Sequence, residues 1–426
     1  MNKDELIRVI EFWQQSARQK HLHSRAAVVD IDTVSPEIVD LVGPRRSGKS
    51  SILKLLIQKL GLTDEYLFIN FEDPFFIENN QASVIEQLVD VYREHFSKTL
   101  KYIFLDEVQE IQGWERAVRK LRDGTDYKVF ITGSSSKLLS GELASALTGR
   151  HRSYSIFPLS FREYLTWRGV GADTPKDVAV SETQIAKLWQ EFIKSGGFPE
   201  AVLQHSRELL QEYFFDIIER DVIARYNIRE QSELQRMAVY MLTNATKLVS
   251  IASLKKAFGL SYRSVSTYLD YLTDAFLVFP LPQFSYSLKT QQKSLKKWYA
   301  VDTGMANAVA VRFSEDSGRQ LENTVYIELM RHDNDLYYYK TKTKREVDFV
   351  VVADQQVQQL IQVAWSIEDE KTRKRELTAL FDAMKELNID KGMLLTNSAE
   401  TENVREGSRQ VSIMPAYRWA LQQEVG

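Results

Sequence analysis

Eight consecutive residues, Gly43-Pro44-Arg45-Arg46-Ser47-Gly48-Lys49-Ser50, follow the pattern G-x-x-x-x-G-K-[ST] and tie this chain to one kind of fold. A glycine at each end lets the backbone curl until successive N–H groups point inward, a cradle for phosphate oxygens. In such a loop Lys49 reaches the β- and γ-phosphates and the Ser50 hydroxyl holds Mg²⁺. The apolar run 38–42 ahead of the loop reads as a buried strand. The run 51–60 behind it reads as a helix whose positive dipole end faces the same anions. Strand, loop and helix in that order are the context the motif requires. Gly43, Pro44, Arg45, Arg46, Ser47, Gly48, Lys49, Ser50 and Ser51 are therefore assigned to nucleotide binding.

The site needs a second half, and residues 102–107 supply it. Tyr-Ile-Phe-Leu-Asp-Glu is an apolar strand ending in two carboxylates. Asp106 is placed to order the Mg²⁺ water shell and Glu107 to polarise an attacking water. The acidic pair points to an ATPase rather than a P-loop kinase. No Asn-Lys-x-Asp guanine-reading motif occurs, so ATP is expected over GTP. Runs 65–71, 127–132 and 153–157 read as further strands of the same sheet, with a helix over 137–147. A five-stranded parallel sheet wrapped by helices follows. Thr132, Ser134 and Ser135, at the end of one of these strands, are candidates for sensing the γ-phosphate. The alternative for the serines is helix capping.

Composition narrows the setting. A net charge of −3 spread over 426 residues advertises no global affinity for nucleic acid, so any such surface must be local. The chain has no cysteine, which excludes disulfides, thiolate catalysis and thiolate-bound zinc. The first residues carry acids and no long apolar core, and the longest apolar runs are too short to span a bilayer. A cytoplasmic protein without a membrane partner is the expectation.

Beyond residue 160 the spacing turns helical. Within the aromatic stretch 212–215, Tyr213 and Phe214 read as core. Residues 231–300 suggest a winged helix: helices over 233–246 and 251–258, a turn at Gly259-Leu260, and a third helix capped by Ser261. On that third helix Val265, Leu269 and Leu272 share a face, while Tyr262, Arg263, Ser264 and Thr267 lie elsewhere. Arg263 with Lys289, Lys293, Lys296 and Lys297 are the candidate DNA contacts; the alternative is a solvated charged loop.

Taken together, several motifs resemble a prokaryotic family of AAA-type (ASCE P-loop) ATPases. They are Gly43–Ser50, Phe104-Leu-Asp-Glu-Val-Gln109, Thr132-Gly-Ser-Ser-Ser-Lys-Leu-Leu-Ser140, Phe157-Pro-Leu-Ser-Phe-Arg-Glu-Tyr164, Gly196-Gly-Phe-Pro199, Tyr299-Ala-Val-Asp-Thr-Gly304 and Glu346-Val-Asp-Phe349. The family joins its ATPase to a C-terminal domain of unknown function related to the restriction-endonuclease fold. The resemblance implies an α/β protein with ATP and Mg²⁺ as cofactors. It implies an ATPase core over 1–165, a helical lid over 166–230, the winged helix over 231–300 and an endonuclease-like domain over 301–426. It also implies that Arg150 acts as an arginine finger in a homo-oligomer, with Arg152 as a competitor, and that Asn70 restrains Glu107. No arginine occupies the Gly197-Phe-Pro-Glu200 region, where many such modules carry a second sensor.

In the last domain Glu322 is expected to open a helix over 323–330. Residues 337–339 and 347–352 should form a hairpin, 360–364 a third strand, and about 371–387 a helix. Glu322 and Asp348 match the first acids of an endonuclease core. Where an acid-x-lysine is expected, the chain has Gln362-Val363-Ala364. An amide is a poor hard-cation ligand and alanine assists no water, so the expected site is degenerate and non-cleaving.

Overall fold

The computed structural model describes residues 2–18, 21–124, 126–136, 149–310, 316–332, 335–397 and 400–423. The helix expected over 137–147 lies outside the described residues. Contacts divide the chain into two compact units, residues 1–157 with 274–276, and 158–273 with 277–426. Among the described residues no helix is long and apolar enough to cross a membrane.

The first unit is built on five parallel strands, β1 (Ile38–Val42), β2 (Tyr66–Asn70), β3 (Tyr102–Asp106), β4 (Lys128–Gly133) and β5 (His151–Ser155), in the order β2-β3-β4-β1-β5. Helices cover a parallel sheet on both faces, so its inner strands are buried and mainly apolar; all five residues of β1 are buried. Val39, Leu41, Phe68, Phe104 and Phe130 meet Ile52, Leu53 and Leu56 of the helix Lys49–Lys59 in one core cluster. The Phe104 and Phe130 rings stack at 4.7 Å. β4 inserts between β1 and β3, which brings the C-terminal ends of these three strands side by side. The edge strand β5 is more exposed, and through it the buried carboxylate of Asp40 is satisfied: His151 Nδ1 lies 3.0 Å away and the Ser153 hydroxyl donates at 2.5 Å.

The second unit begins with helices, Phe161–Trp167, Pro175–Val180, Glu182–Ser195, Pro199–Gln204 and Arg207–Asp216, the last running into a wider π-helical stretch, Ile217–Ala224. Ser160 and Glu163 close a reciprocal capping box at the first of these. Tyr213 and Phe214 are core, as the spacing suggested. Helix Gln231–Thr243, β6 (Leu248–Val249), helices Ile251–Phe258 and Tyr262–Asp274, β7 (Val278–Leu281) and β8 (Lys296–Ala300) follow. The three strands form an antiparallel sheet with β8 in the middle. Val265, Leu269 and Leu272 are buried, and Tyr262 and Arg263 are exposed.

A mixed six-stranded sheet closes the chain. Its strands are β9 (Asp335–Lys340), β10 (Glu346–Ala353), β11 (Gln356–Ala364), β12 (Lys391–Thr396), β13 (Glu402–Glu406) and β14 (Arg409–Pro415), in the order β13-β14-β12-β11-β10-β9. Helix Glu370–Leu387 packs Leu380, Ala383 and Met384 onto Val350, Leu360 and Leu394 of this sheet. The hairpin expectation holds for β9 and β10, which pair antiparallel. One expectation does not: Glu322 stands within the helix Ser317–Met330 rather than at its start, because Asp316 caps that helix at Arg319 N. The three strands after residue 390 were not anticipated.

Candidate functional site

At the end of β1 the chain turns sharply. A Cβ on Gly43 would fall 2.1 Å from the Ile156 carbonyl oxygen, so only glycine lets the loop pass β5's exit. Arg46 and Gly48 both take positive φ, 68° and 98°, the left-handed turn that aims successive N–H groups to one side. Arg25 braces the outside of the loop, donating to the Ser47 carbonyl at 2.6 Å and the Phe157 carbonyl at 2.9 Å. The helix Lys49–Lys59 starts at Gly48 with no side-chain cap, which leaves its first N–H groups for an anion. The Ser47 hydroxyl is buried and has no hydrogen-bond partner among the described residues. Lys49 is 3 % exposed and its ammonium donates to the Gly43 and Pro44 carbonyls, both at 3.1 Å, with Glu107 Oε1 3.6 Å away. Arg45 is drawn off the loop into an ion pair with Glu72.

The carboxylates arrive from β3 and are fixed by β4. Asp106 is fully buried; Thr132 Oγ1 donates to its Oδ1 at 2.6 Å and Asn70 Nδ2 to its Oδ2 at 2.8 Å. Burial, and then the neighbouring Glu107 charge, push the Asp106 carboxyl up to about 6, while bonds from Thr132 and Ser50 pull it down. Glu107 turns out of the strand at φ 51°, so both acids face the loop although they are adjacent. Its N–H donates to Thr132 Oγ1 at 2.9 Å, and Gln109 Nε2 donates to its Oε2 at 2.7 Å.

Thr132 is thus the pivot that ties β3 to β4 beneath the acids. Ser134 and Ser135 are buried beyond the end of β4. Asn70 departs from its expected role: its amide serves Asp106, not Glu107, and its carbonyl oxygen accepts from Glu72 N at 2.7 Å. Gln109 holds the glutamate instead. It stands in the run Asp-Glu-Val-Gln, and a helical turn at Val108–Glu110 folds it back onto Glu107. Arg150 lies at the opposite end of β5, giving its carbonyl to Ile38 N at 2.9 Å and lying 3.8 Å from Asp123. Parallel pairing of Ile38 with His151 puts it one strand length from the loop of its own unit.

The pocket fits a triphosphate with a divalent cation. It has an uncapped helix start, an ammonium resting only on carbonyls and a carboxylate, and the hard oxygen donors of Ser50 and Asp106 close together.

The second unit holds a separate charged cluster, which corrects the placement of Lys297. That residue is 3 % exposed, and its ammonium sits 2.7 Å from Glu322 Oε1, 2.9 Å from Glu346 Oε1 and 3.1 Å from Asp348 Oδ1. Position 297 alternates inward on β8, so it offers nothing to a phosphate backbone. Lys289, Lys293 and Lys296 are on the surface. Burial opposes the Lys297 charge, but Tyr299 and the three acids hold it well above its usual range. Burial likewise lifts Glu322 to about 7. Gln362 gives its amide to Glu376 at 2.8 Å and accepts from Asp348 N at 3.2 Å. Glu322, Asp348 and Gln362 lie in this one cluster, with Lys297, which the sequence pattern did not place there, between the two acids. No group of three or more His, Cys, Asp or Glu among the described residues is arranged to hold a metal ion.

The AAA domain family (AAA_14) matches residues 35–165. Two domains of unknown function follow, DUF8612 over 186–316 and DUF4143 over 317–418. The uncharacterized protein MJ1544 of Methanocaldococcus jannaschii is 34 % identical over 411 residues, covering 92 % of this chain and 90 % of its own length. An uncharacterized protein of Haemophilus influenzae is 28 % identical, over 88 % of this chain and 92 % of its own length. Among solved structures, the Aeropyrum pernix ORC1 protein in complex with DNA is similar at 14 % identity and a TM-score of 0.31, over 72 % of this chain and 91 % of that one.

Proposed function

We propose, from the premise that this chain belongs to the same AAA-domain family as MJ1544 of Methanocaldococcus jannaschii, that it is an ATP-hydrolysing switch coupling turnover to the binding of a target, DNA being the candidate. The observation that carries this reading is the convergence of Lys49, Asp106, Glu107 and Thr132 on the adjacent ends of β1, β3 and β4. Lys49 leaves the Gly43 and Pro44 carbonyls to meet the β- and γ-phosphates. Loop N–H groups and the helix start hold the rest of the chain of phosphates. Ser50 and Asp106 would hold Mg²⁺, whose positive charge would offset the negative charge of the phosphates. Glu107, released by Gln109, accepts the proton of the attacking water. Thr132 keeps both acids in register and is the favoured sensor over Ser134 and Ser135. Arg150, too far to serve its own loop, is proposed to act on a neighbouring copy in a homo-oligomer. A finger in trans contributes ~10³–10⁵ in rate.

The four-domain division is proposed to hold at 1–165, 166–230, 231–300 and 301–426. Supporting the winged helix is the order helix, strand, helix, helix, strand, short helix (Leu288–Lys293), strand, with an antiparallel sheet of three. Exposed Arg263, Lys289, Lys293 and Lys296 support contact with phosphates, and exposed Lys255 and Lys256 extend that surface. The last domain is read as non-cleaving, since Lys297 occupies the centre of the acids, Gln362 spends its amide on Glu376, and Ala364 contributes no base.

Phosphate release from Mg-ATP, measured alone and with duplex DNA, tests this reading. Turnover stimulated by DNA supports a switch. Nucleotide binding without turnover under either condition would favour a nucleotide-gated adaptor, and cutting of DNA that depends on Asp348 would make the last domain a nuclease.

A further inference from the structure

Two sequence motifs, Gly196-Gly-Phe-Pro199 and Tyr299-Ala-Val-Asp-Thr-Gly304, take no part in the nucleotide site. Within the second unit they meet. The Asp302 carboxylate caps the helix Thr303–Val309 at Met305 N, 2.8 Å away, and also accepts from Gly197 N at 2.7 Å. A Cβ on Gly196 would fall 2.1 Å from Asp302 Oδ1, and one on Gly304 would fall 1.9 Å from the Ser195 carbonyl oxygen. Glycine at 304 lets the helix start lie against the Ser195–Gly196 backbone, and glycine at 196 leaves room for the Asp302 carboxylate. Asn307 extends the junction by donating to the Lys194 carbonyl at 2.9 Å.

Beside this junction opens a cavity of about 700 Å³, with Ser195, Gly304 and Asn307 in its wall. The size is that of a small-molecule site, about 300–1,000 Å³. Tyr164, Val202 and Leu210 supply a buried apolar side. Arg168, Lys194 and Arg207 also line it, against the one carboxylate of Glu191, so three cations less one anion leave a net charge of +2. The arginines are held in place. Arg168 donates from Nη2 to Glu191 at 2.8 Å and from Nη1 to His205 Nε2 at 2.8 Å; Arg207 donates to the Asn307 carbonyl at 3.1 Å.

We propose that this cavity binds a small organic phosphate, its phosphate group at Arg168 and Arg207 and its organic body against Tyr164, Val202 and Leu210. The net +2 matches the charge of a phosphate monoester, about −1.5 to −2 at neutral pH. A planar guanidinium pairs with phosphate oxygens in fixed geometry, so two held arginines select it over a single carboxylate. The cavity is built wholly from the second unit and owes nothing to the nucleotide loop.

The test is calorimetric titration of the full chain carrying Lys49→Ala, so that the loop does not compete, with phenyl phosphate and AMP as probes. Binding of at least one with a dissociation constant below about 1 mM is expected. Arg168→Gln and Arg207→Gln should each weaken it about tenfold or more. Ala310→Trp, which adds bulk to the cavity wall and leaves every charge in place, should abolish it, with melting temperature recorded for each variant. If Arg168→Gln melts early, Lys194→Gln and Ala310→Trp decide. The proposal is overturned if neither probe binds at 10-fold above about 1 mM, if the correctly folded variants bind as well as their parent, or if benzoate binds as tightly as phenyl phosphate.

Discussion

Asp106→Asn should make the protein more stable at neutral pH while depriving it of its magnesium response. The Asp106 carboxyl is lifted from 3.8 to about 6 by burial and by Glu107, so the fold prefers it protonated. A raised folded value means that this group's stabilisation is fully present below the unfolded value and is lost as pH climbs through the folded one. The loss runs from pH about 4 to about 6 and is constant above. Roughly two pK units at about 1.4 kcal/mol each set an upper bound of about 3 kcal/mol. Asparagine avoids that charge but replaces one acceptor with a donor, facing Asn70 Nδ2 or Thr132 Oγ1, and forfeits about 1 kcal/mol. A net gain of about 2 kcal/mol should remain, worth several degrees in melting temperature for a unit of this size. The assay is calorimetric melting from pH 4.5 to 7.5. The transition of the first unit is identified as the one that Mg-ATP raises in the parent protein. The gap between variant and parent should open as pH rises to about 6 and then hold. A variant less stable at pH 7.5, or a gap independent of pH, would refute the reasoning.

Three further outcomes are expected. Nucleotide affinity in the presence of Mg²⁺ should fall as pH drops below about 6, with release of one proton on binding, because the metal needs Asp106 ionised; isothermal titration in buffers of different ionisation enthalpy counts that proton. Lys297→Met strands Glu322, Glu346 and Asp348 around a lost ammonium and should cost about 3–5 kcal/mol, read as a drop in the second unit's urea midpoint that is relieved as pH falls, because Glu322, raised by burial and no longer pulled down by the lysine, takes up a proton. Mixing Arg150→Ala with Glu107→Gln should restore turnover above either variant alone if the finger works in trans; no recovery at any mixing ratio would remove Arg150 from the mechanism.

The parts of this molecule that were legible in its sequence are those written in consecutive residues. The loop, its flanking strand and helix, and the pair Asp106-Glu107 are contiguous, and burial on both faces makes a parallel strand readable as an apolar run. The strand order was not legible, because the insertion of β4 between β1 and β3 is decided by packing far along the chain. Gln109 was overlooked for a geometric reason. Two residues on in a strand it would share Glu107's face without touching the carboxylate, and only the turn at Val108–Glu110 folds it back. Lys297 was misread because a run of lysines looks solvated, whereas the alternation of β8 buries one of them among acids contributed by residues 322, 346 and 348. Strands β12 to β14 carry polar-interrupted patterns, and the polar side chains at Asn403, Gln410 and Ser412 bond to one another rather than mark a turn.

Equilibrium dialysis of labelled ATP with Mg²⁺, followed by phosphate release from the same samples, addresses the nucleotide site most directly. The parent should bind and release phosphate, Lys49→Ala should do neither, and Glu107→Gln should bind as tightly as the parent with turnover lowered about 10²-fold or more. Equal binding by the parent and Lys49→Ala would contradict the assignment of the loop, and undiminished release from Glu107→Gln would contradict the assignment of the base.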